Sequence, residues 1–404
     1  MNGQGMSYPS PFFDLAQTYL PTSFKEMFRM CRYYFLTNPL INAVAFKMSE
    51  YPITDIAVDH ADPQVCRRWT ELIQDQLRYR AFQVESGLDY HVYGNAMVSL
   101  GYPLVKYLSC TRCRFQEIAR SIRQHWTFTS FNYRLTCPRC GHQGDAAVHD
   151  AYPRNANAVR LLRWNVEDID ISYNSLSGEE LYFYNMPGKM RNDIVAGKKE
   201  IVDSIPAMFV QALREQKSIV LNNDRLFHLR RPTLAQMDRG WGIPPILCVL
   251  KDAYYLQVMK KAQESLLVES IVPLRILFPQ AGSSSSDVYS STNLVDWRDA
   301  VAGEIRQWRR DPNYIPIVPL PIGNQTIGGD GKAMLLTAEM QALMETIING
   351  MGVPKEFIFG GAQWSGTQVS MRMVENAFLG YIQYQRQLLR MIVRDIASFM
   401  DWPE

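Results

Sequence analysis

Cys110-Thr-Arg-Cys113 and Cys137-Pro-Arg-Cys140-Gly141 constrain this chain more than any other part of its sequence. Each CxxC turn aims two thiolates at one point. Two such turns, 23 residues apart, have the spacing of a tetrahedral zinc ribbon. Gly141 relieves the backbone after the second knuckle. The stretch between the pairs is short, polar and aromatic, so metal binding, rather than a core of its own, is expected to supply its folding energy. Two disulfides are the competing reading, but seven cysteines is an odd number and no secretory leader precedes them. Four thiolates complete a closed structural site, so His125, His142 and His149 nearby read as surface residues. Leu104 to Asp150 carries Lys106, Arg112, Arg114, Arg120, Arg123, Arg134 and Arg139 against three acids. A basic, aromatic ribbon can touch nucleic acid. The plainer reading is a solvated structural knob or a protein-docking module.

The remainder reads as a folded, multi-segment protein: 47% of its 404 residues are hydrophobic and 20% are charged. A net charge of +2 gives no global field for nucleic acid. The N-terminus lacks a basic region followed by an apolar core, and no membrane span is expected. The apolar window Leu266 to Phe278, for instance, contains Glu269, Pro273 and Arg275. Catalytic signatures fail. A Walker loop ending at Lys332 needs Gly at position 326 and Ser or Thr at 333, where Thr326 and Ala333 stand. There is no HExxH and no GxSxG, so no enzymatic activity is expected. Cys31, Cys66 and Cys248 sit in apolar helical contexts and read as buried small hydrophobes.

In chain order, helices are expected over Ser23 to Leu36, Pro39 to Glu50, and Pro63 to Tyr79 behind an Asp62 cap, with helix again from Phe82 towards Tyr93. Tyr93-Gly-Asn-Ala96 then turns into an alternating strand. Val159 to Trp164, Ile169 to Tyr173, Leu181 to Tyr184 and Ile219 to Leu221 read as strands of a compact meander ending near Pro232. Within it, Glu167, Asp168 and Asp170 read as turn acids facing solvent. Arg239-Gly-Trp-Gly-Ile-Pro-Pro245 leads into a helix reaching about Ser270, and Pro273 to Phe278 reads as a strand. Gly282 to Ser286 is an exposed tip, Asn293 to Arg310 a polar helix, and Ile315 to Pro321 a proline-protected edge strand. Thr337 to Gly350 is a further helix.

Met351 to Arg394 closes the pattern. Gly352-Val353-Pro354 stops that helix, and the loop Phe357 to Gly366 contains Gly360, Gly361 and Trp364. Ser365 or Thr367 then caps a long helix with Val369, Met373, Ala377, Tyr381, Leu388, Ile392 and Ile396 at helical spacing. The order helix, small αβ insertion, helix, GVP stop, glycine loop, long helix resembles tailed-phage portal proteins. The YGNA turn and the RG-x-G-x-P lead-in are similar to theirs as well. The resemblance covers most of residues 25 to 400, and the ribbon departs from it. It implies an α+β subunit: a helical part of the wing over 1–103, the zinc ribbon over 104–150 and a β-rich wing over 151–237. A stem helix over 238–270, a clip over 271–331, a second stem helix over 332–352 and a tunnel loop over 353–368 would follow. The last helix, 369–404, would have little or no crown behind it. It further implies a homo-oligomeric ring, around a dodecamer, at one capsid vertex of the virion, assembled in the host cytoplasm. The ring would be a channel for double-stranded DNA during packaging and ejection. Its partners would be terminase, a head–tail adaptor and the major capsid protein, with no membrane. Cys110, Cys113, Cys137 and Cys140 are the expected zinc ligands. Lys355, Gln363 and Trp364 are the expected tunnel-loop residues towards DNA, with Trp364 at a subunit interface as the alternative. The competing function is a zinc-ribbon nucleic-acid enzyme, a nuclease or terminase subunit, for which no carboxylate cluster or nucleotide loop is found.

Overall fold

The computed structural model describes residues 23–402, except 54, 175, 223–224, 235–239, 272–273, 280–293, 311–321, 328–335, 354, 356–357 and 359–366. The chain divides into two units, residues 1–253 with 345–404, and residues 254–344. Helices and small antiparallel sheets make it an α+β protein.

The first unit opens with helices whose ends are written into the sequence. The Ser23 hydroxyl accepts from the Glu26 N–H to start α1 (Phe24–Thr37). Asn38 ends that helix and caps α2 (Pro39–Glu50), its Oδ1 accepting from the N–H groups of Leu40 and Ile41. Asp62 caps α3 (Pro63–Thr70) through the Gln64 N–H, as expected. The single helix read from Pro63 to Tyr79 is corrected. After Thr70 the chain widens into a π turn, Glu71–Gln76, in which the Leu77 N–H reaches the Leu72 carbonyl. Arg78 then takes a left-handed conformation at φ 46° before α4 (Tyr79–Tyr93) begins. The widened turn shifts the helical phase so that Leu72, Ile73, Leu77 and Tyr79 all enter one core.

Gly94, at φ 71°, turns α4 into β1 (Asn95–Gly101). A Cβ there would stand 2.6 Å from the Ile243 carbonyl oxygen, so only glycine fits. Six ribbon strands follow: β2 (Val105–Ser109), β3 (Gln116–Ile118), β4 (Trp126–Thr129), β5 (Asn132–Thr136), β6 (Gln143–Asp145) and β7 (Ala147–Ala151). They form two antiparallel sheets, ordered β3-β2-β7 and β4-β5-β6. The chain continues through β8 (Arg160–Trp164), β9 (Ile169–Tyr173) and β10 (Glu180–Tyr184). Three short helices come next, α5 (Gly188–Val195), α6 (Lys199–Ser204) and α7 (Ala207–Arg214), then β11 (Ile219–Val220) and β12 (Leu226–Arg230). The sheets are ordered β12-β1-β8 and β11-β10-β9. The expected meander is therefore interrupted by helices too short to impose a visible period. Glu167 is not a solvated turn acid either. Its side chain is 9% exposed and lies 2.8 Å from Arg32, with Arg29 at 3.7 Å.

The two turn motifs singled out in the sequence meet in space. Asn95 donates through Nδ2 to the Gly242 carbonyl at 2.8 Å and accepts the Gly242 N–H at 2.7 Å. The core beneath them joins α3, α4, β1 and β12 to the last helix, α11 (Thr367–Met400). Tyr381, Leu388, Ile392 and Ile396 of the expected stripe are buried in it; the side chains of Val369, Met373 and Ala377 lie outside the described residues. Cys31 is buried as expected. Cys66 is half-buried and Cys248 exposed, contrary to expectation, because their thiols turn to the carbonyls of His60 and Pro245 at helix starts rather than into the core.

Between these segments run α8 (Ile246–Ile271), which begins in the first unit and ends in the second, β13 (Leu274–Pro279), α9 (Leu294–Arg310), β14 (Ile322–Ile327) and α10 (Leu336–Gly350), which returns the chain to the first. β13 pairs antiparallel with β14, Leu274 opposite Ile327 and Pro279 opposite Ile322. The strand expected over Ile315 to Pro321 and the tip Gly282 to Ser286 lie outside the described residues. Among the described residues no helix is long and apolar enough to cross a membrane.

Candidate metal centre

The two CxxC turns have the same backbone design. In the first, the Cys110 N–H donates to the Phe115 carbonyl and the Arg114 N–H to the Cys110 carbonyl. In the second, Cys137 N–H donates to His142 and Gly141 N–H to Cys137. The residue after each turn is left-handed: Arg114 at φ 55° and Gly141 at φ 67°. Glycine signalled the second position; nothing in the sequence signalled Arg114.

These turns converge. Cys110 Sγ lies 3.8 Å from Cys140 Sγ, Cys113 Sγ lies 3.5 Å from Cys137 Sγ, and all four sulfurs fall within 4.8 Å of one another. A tetrahedron with metal–sulfur bonds of about 2.3 Å has edges of about 3.8 Å, so the quartet fits one ion. A disulfide would need about 2.05 Å, and all seven cysteines are free. Among the described residues this is the one group of His, Cys, Asp and Glu able to hold a metal. His125 and His149 are exposed and His142 half-buried outside it.

Charge at the site favours partial ionisation. The Cys113 N–H, with that of Arg112 and the neighbouring thiols, brings the Cys110 thiol below its ordinary value against desolvation. At Cys137 desolvation opposes ionisation, but the N–H groups of Cys140 and Arg139 and the adjacent thiols bring it down to about 7. The Phe115 N–H favours a thiolate at Cys113, yet desolvation and three crowded sulfurs push it up to about 12. Four thiolates together therefore need a cation among them.

The ribbon nonetheless buries apolar side chains, partly against its neighbours. Leu108, Ala119, Trp126, Phe128, Tyr133 and Leu135 are buried, and the Trp126 Nε1–H donates to the Ala119 carbonyl at 2.8 Å. Nor is the ribbon a free knob. Tyr133 Oη donates to the Val202 carbonyl at 3.0 Å, Arg120 pairs with Asp203 at 2.7 Å, and Lys199 Nζ donates to the Arg123 carbonyl at 2.7 Å. Lys106, counted above among the basic residues of the ribbon, is buried against Asp150 at 3.0 Å. No local pattern signals this docking on α6, because the partners lie about seventy to eighty residues away.

No protein-family model matches the chain, and no curated protein matches it. Among solved structures it is similar to a chain from the neck of an empty GTA particle computed with C6 symmetry. That match has 13% identity, 87% of this chain covered, 75% of that one, and a TM-score of 0.40. It is similar also to one from the neck of a native GTA particle computed with C12 symmetry, at 11% identity, 98% and 83% coverage, and a TM-score of 0.39.

Of the residues expected at a tunnel loop, Lys355 is exposed and pairs with Glu345 at 3.2 Å. Gln363 and Trp364 lie outside the described residues.

Proposed function

We propose that this chain is the subunit of a phage portal ring of about twelve copies, a structural protein with no enzymatic activity. One observation carries the reading. A helix–strand–helix–strand–helix unit, residues 254–344, is spliced into the first unit through α8 and α10, both continuous across its boundaries. The chain then passes Gly352, at φ 84°, and the buried Val353, and ends in the 34-residue α11. Helix, αβ clip, helix, GVP stop and long helix is the order of a portal stem, clip, stem and tunnel loop. In this reading the ring sits at one capsid vertex of the virion, passes double-stranded DNA, and docks a terminase, a head–tail adaptor and the major capsid protein. ATP hydrolysis belongs to the terminase, in keeping with the missing nucleotide loop.

Zinc is the proposed ion at Cys110, Cys113, Cys137 and Cys140, where it supplies folding energy and no catalysis. Lys355, Gln363 and Trp364 are the proposed residues of the constriction, Trp364 facing either the DNA or a neighbouring subunit.

Class-averaged electron micrographs and the native mass of the purified protein test the ring. A closed cyclic oligomer with a central hole near the roughly 20 Å that a duplex needs is expected. A monomer or a two-fold dimer at physiological salt would overturn the portal reading.

A further inference from the structure

Asn95, His228, Tyr182 and Glu180 form a chain of contacts beside the start of α8, and its hydrogens can be counted. The Asn95 amide is fixed: Nδ2 donates to the carbonyls of Tyr93 and Gly242, both at 2.8 Å, and Oδ1 accepts the Gly242 N–H. The same Oδ1 lies 3.0 Å from His228 Nε2, so Nε2 must carry a hydrogen. His228 Nδ1 lies 3.0 Å from Tyr182 Oη, which lies 2.5 Å from Glu180 Oε2. Glu180 Oε1 accepts from Arg230 at 2.7 Å. The three links from Asn95 to Glu180 need three hydrogens. A neutral imidazole and a phenol bring two. With a carboxylate at Glu180, one link places lone pair against lone pair.

We propose that this chain is a proton-binding site, closed by one proton taken up from solution. The proton is shared along the row from His228 Nδ1 through Tyr182 Oη to Glu180 Oε2. Tyr182 keeps its own hydrogen, because burial and the neighbouring Glu180 raise its phenol. A solvent-open cavity of about 450 Å³, lined by Glu179, Glu180, Tyr182, His228 and Arg230, is the route for the proton. Among the described residues, the charged groups facing the chain are Arg230 from β12 and Glu179 and Glu180 at the start of β10. β1 contributes Asn95, and Trp241 lies edge-on to His228. The chain ends on the asparagine that clamps Gly242, so its proton occupancy braces or loosens the lead-in to α8.

The opposite behaviour is well defined. Burial and Arg230 push the His228 imidazole down, to about 3, and a group lowered in this way costs stability as pH falls below its ordinary value. A chain that gains a proton on folding has a raised pKa: its stability is present at low pH and lost as pH rises. Glu180→Gln separates the two. Its carboxamide offers an N–H to Tyr182 and keeps an oxygen for Arg230, supplying the third hydrogen at every pH. The melting temperature of the full chain is compared between pH 8.5 and 5.5. Glu180→Gln is expected to melt at or above the wild type at pH 8.5, with the wild type gaining on it as pH falls. A deficit of equal size at both ends, or a wild type that loses ground on acidification, overturns the proposal. If Glu180→Gln does not fold, Tyr182→Phe serves. Its deficit against the wild type is expected to be largest at pH 5.5 and to shrink towards 8.5, and a constant deficit refutes the site. Magic-angle-spinning spectra of sedimented, 15N-histidine protein read it directly, with six histidines to resolve. A hydrogen on Nε2 of His228 across the range, with uptake of one proton along the row of contacts, is expected; absence of uptake refutes it.

Discussion

Lys106 has no exposed side-chain surface, pairs with Asp150 at 3.0 Å and lies 5.4 Å from the centre of the Tyr133 ring. The second Asp150 oxygen takes the Ala207 N–H at 2.5 Å, so one carboxylate ties β2 to the start of α7. Breaking such a pair strands a buried charge. Lys106→Ala is expected to cost about 3–5 kcal/mol, with part recovered in the double variant with Asp150→Asn, as thermal unfolding would report. At the four-cysteine cluster, the sign with pH is set by the thiols. Cys137, brought down to about 7, contributes as a thiolate above its ordinary value and loses that contribution as pH falls through 7. Release of the proposed zinc ion, followed with a chromogenic chelator, is therefore expected to rise steeply from pH 8 to 5. Cys137→Ser should carry well under one equivalent even at pH 8.

At the level of helices and strands, what was legible followed from local rules. Asp62 marked a helix start because a short polar side chain there satisfies free N–H groups, and the structure adds Ser23 and Asn38 as caps of the same kind. The α11 stripe was legible because one face of it must be apolar to join the core. What escaped depended on distant partners. β14 was missed because Gly323 and Asn324 dilute its β-propensity, while pairing with β13 holds it extended. The π turn was missed because the core, not the local sequence, demands its phase shift. The α4–α11 contact is of the same kind. A Cβ on Gly87 would meet Tyr381 Oη at 2.3 Å and Ser49 Cβ at 3.0 Å. Gly87→Ala should thus destabilise by about 1–3 kcal/mol through overpacking, despite alanine's better helix propensity. Combining it with Tyr381→Phe should restore much of the loss in melting temperature.

For the molecule as a whole, the ribbon was legible as a metal site but not as a docked one. Four cysteines at fixed spacing announce themselves; a tyrosine hydroxyl meeting the Val202 carbonyl does not. Docking also changes what metal removal should do. Chelation is expected to raise amide hydrogen exchange over residues 104–150 and to carry into α6, while the proposed ring persists; exchange confined to the ribbon would show that the Tyr133 and Arg120 contacts carry no energy. The shared design of the two knuckles bears on the birth of the chain as well. Both turns leave the ribosome before α6 exists. At about 5–20 residues per second, the interval from Cys140 to Ser204 lasts roughly 3–13 s. During those seconds the nascent ribbon has its thiols and its small core but no platform. A metal ion captured then would fold the ribbon first, and the rest of the first unit would be moulded onto a finished surface.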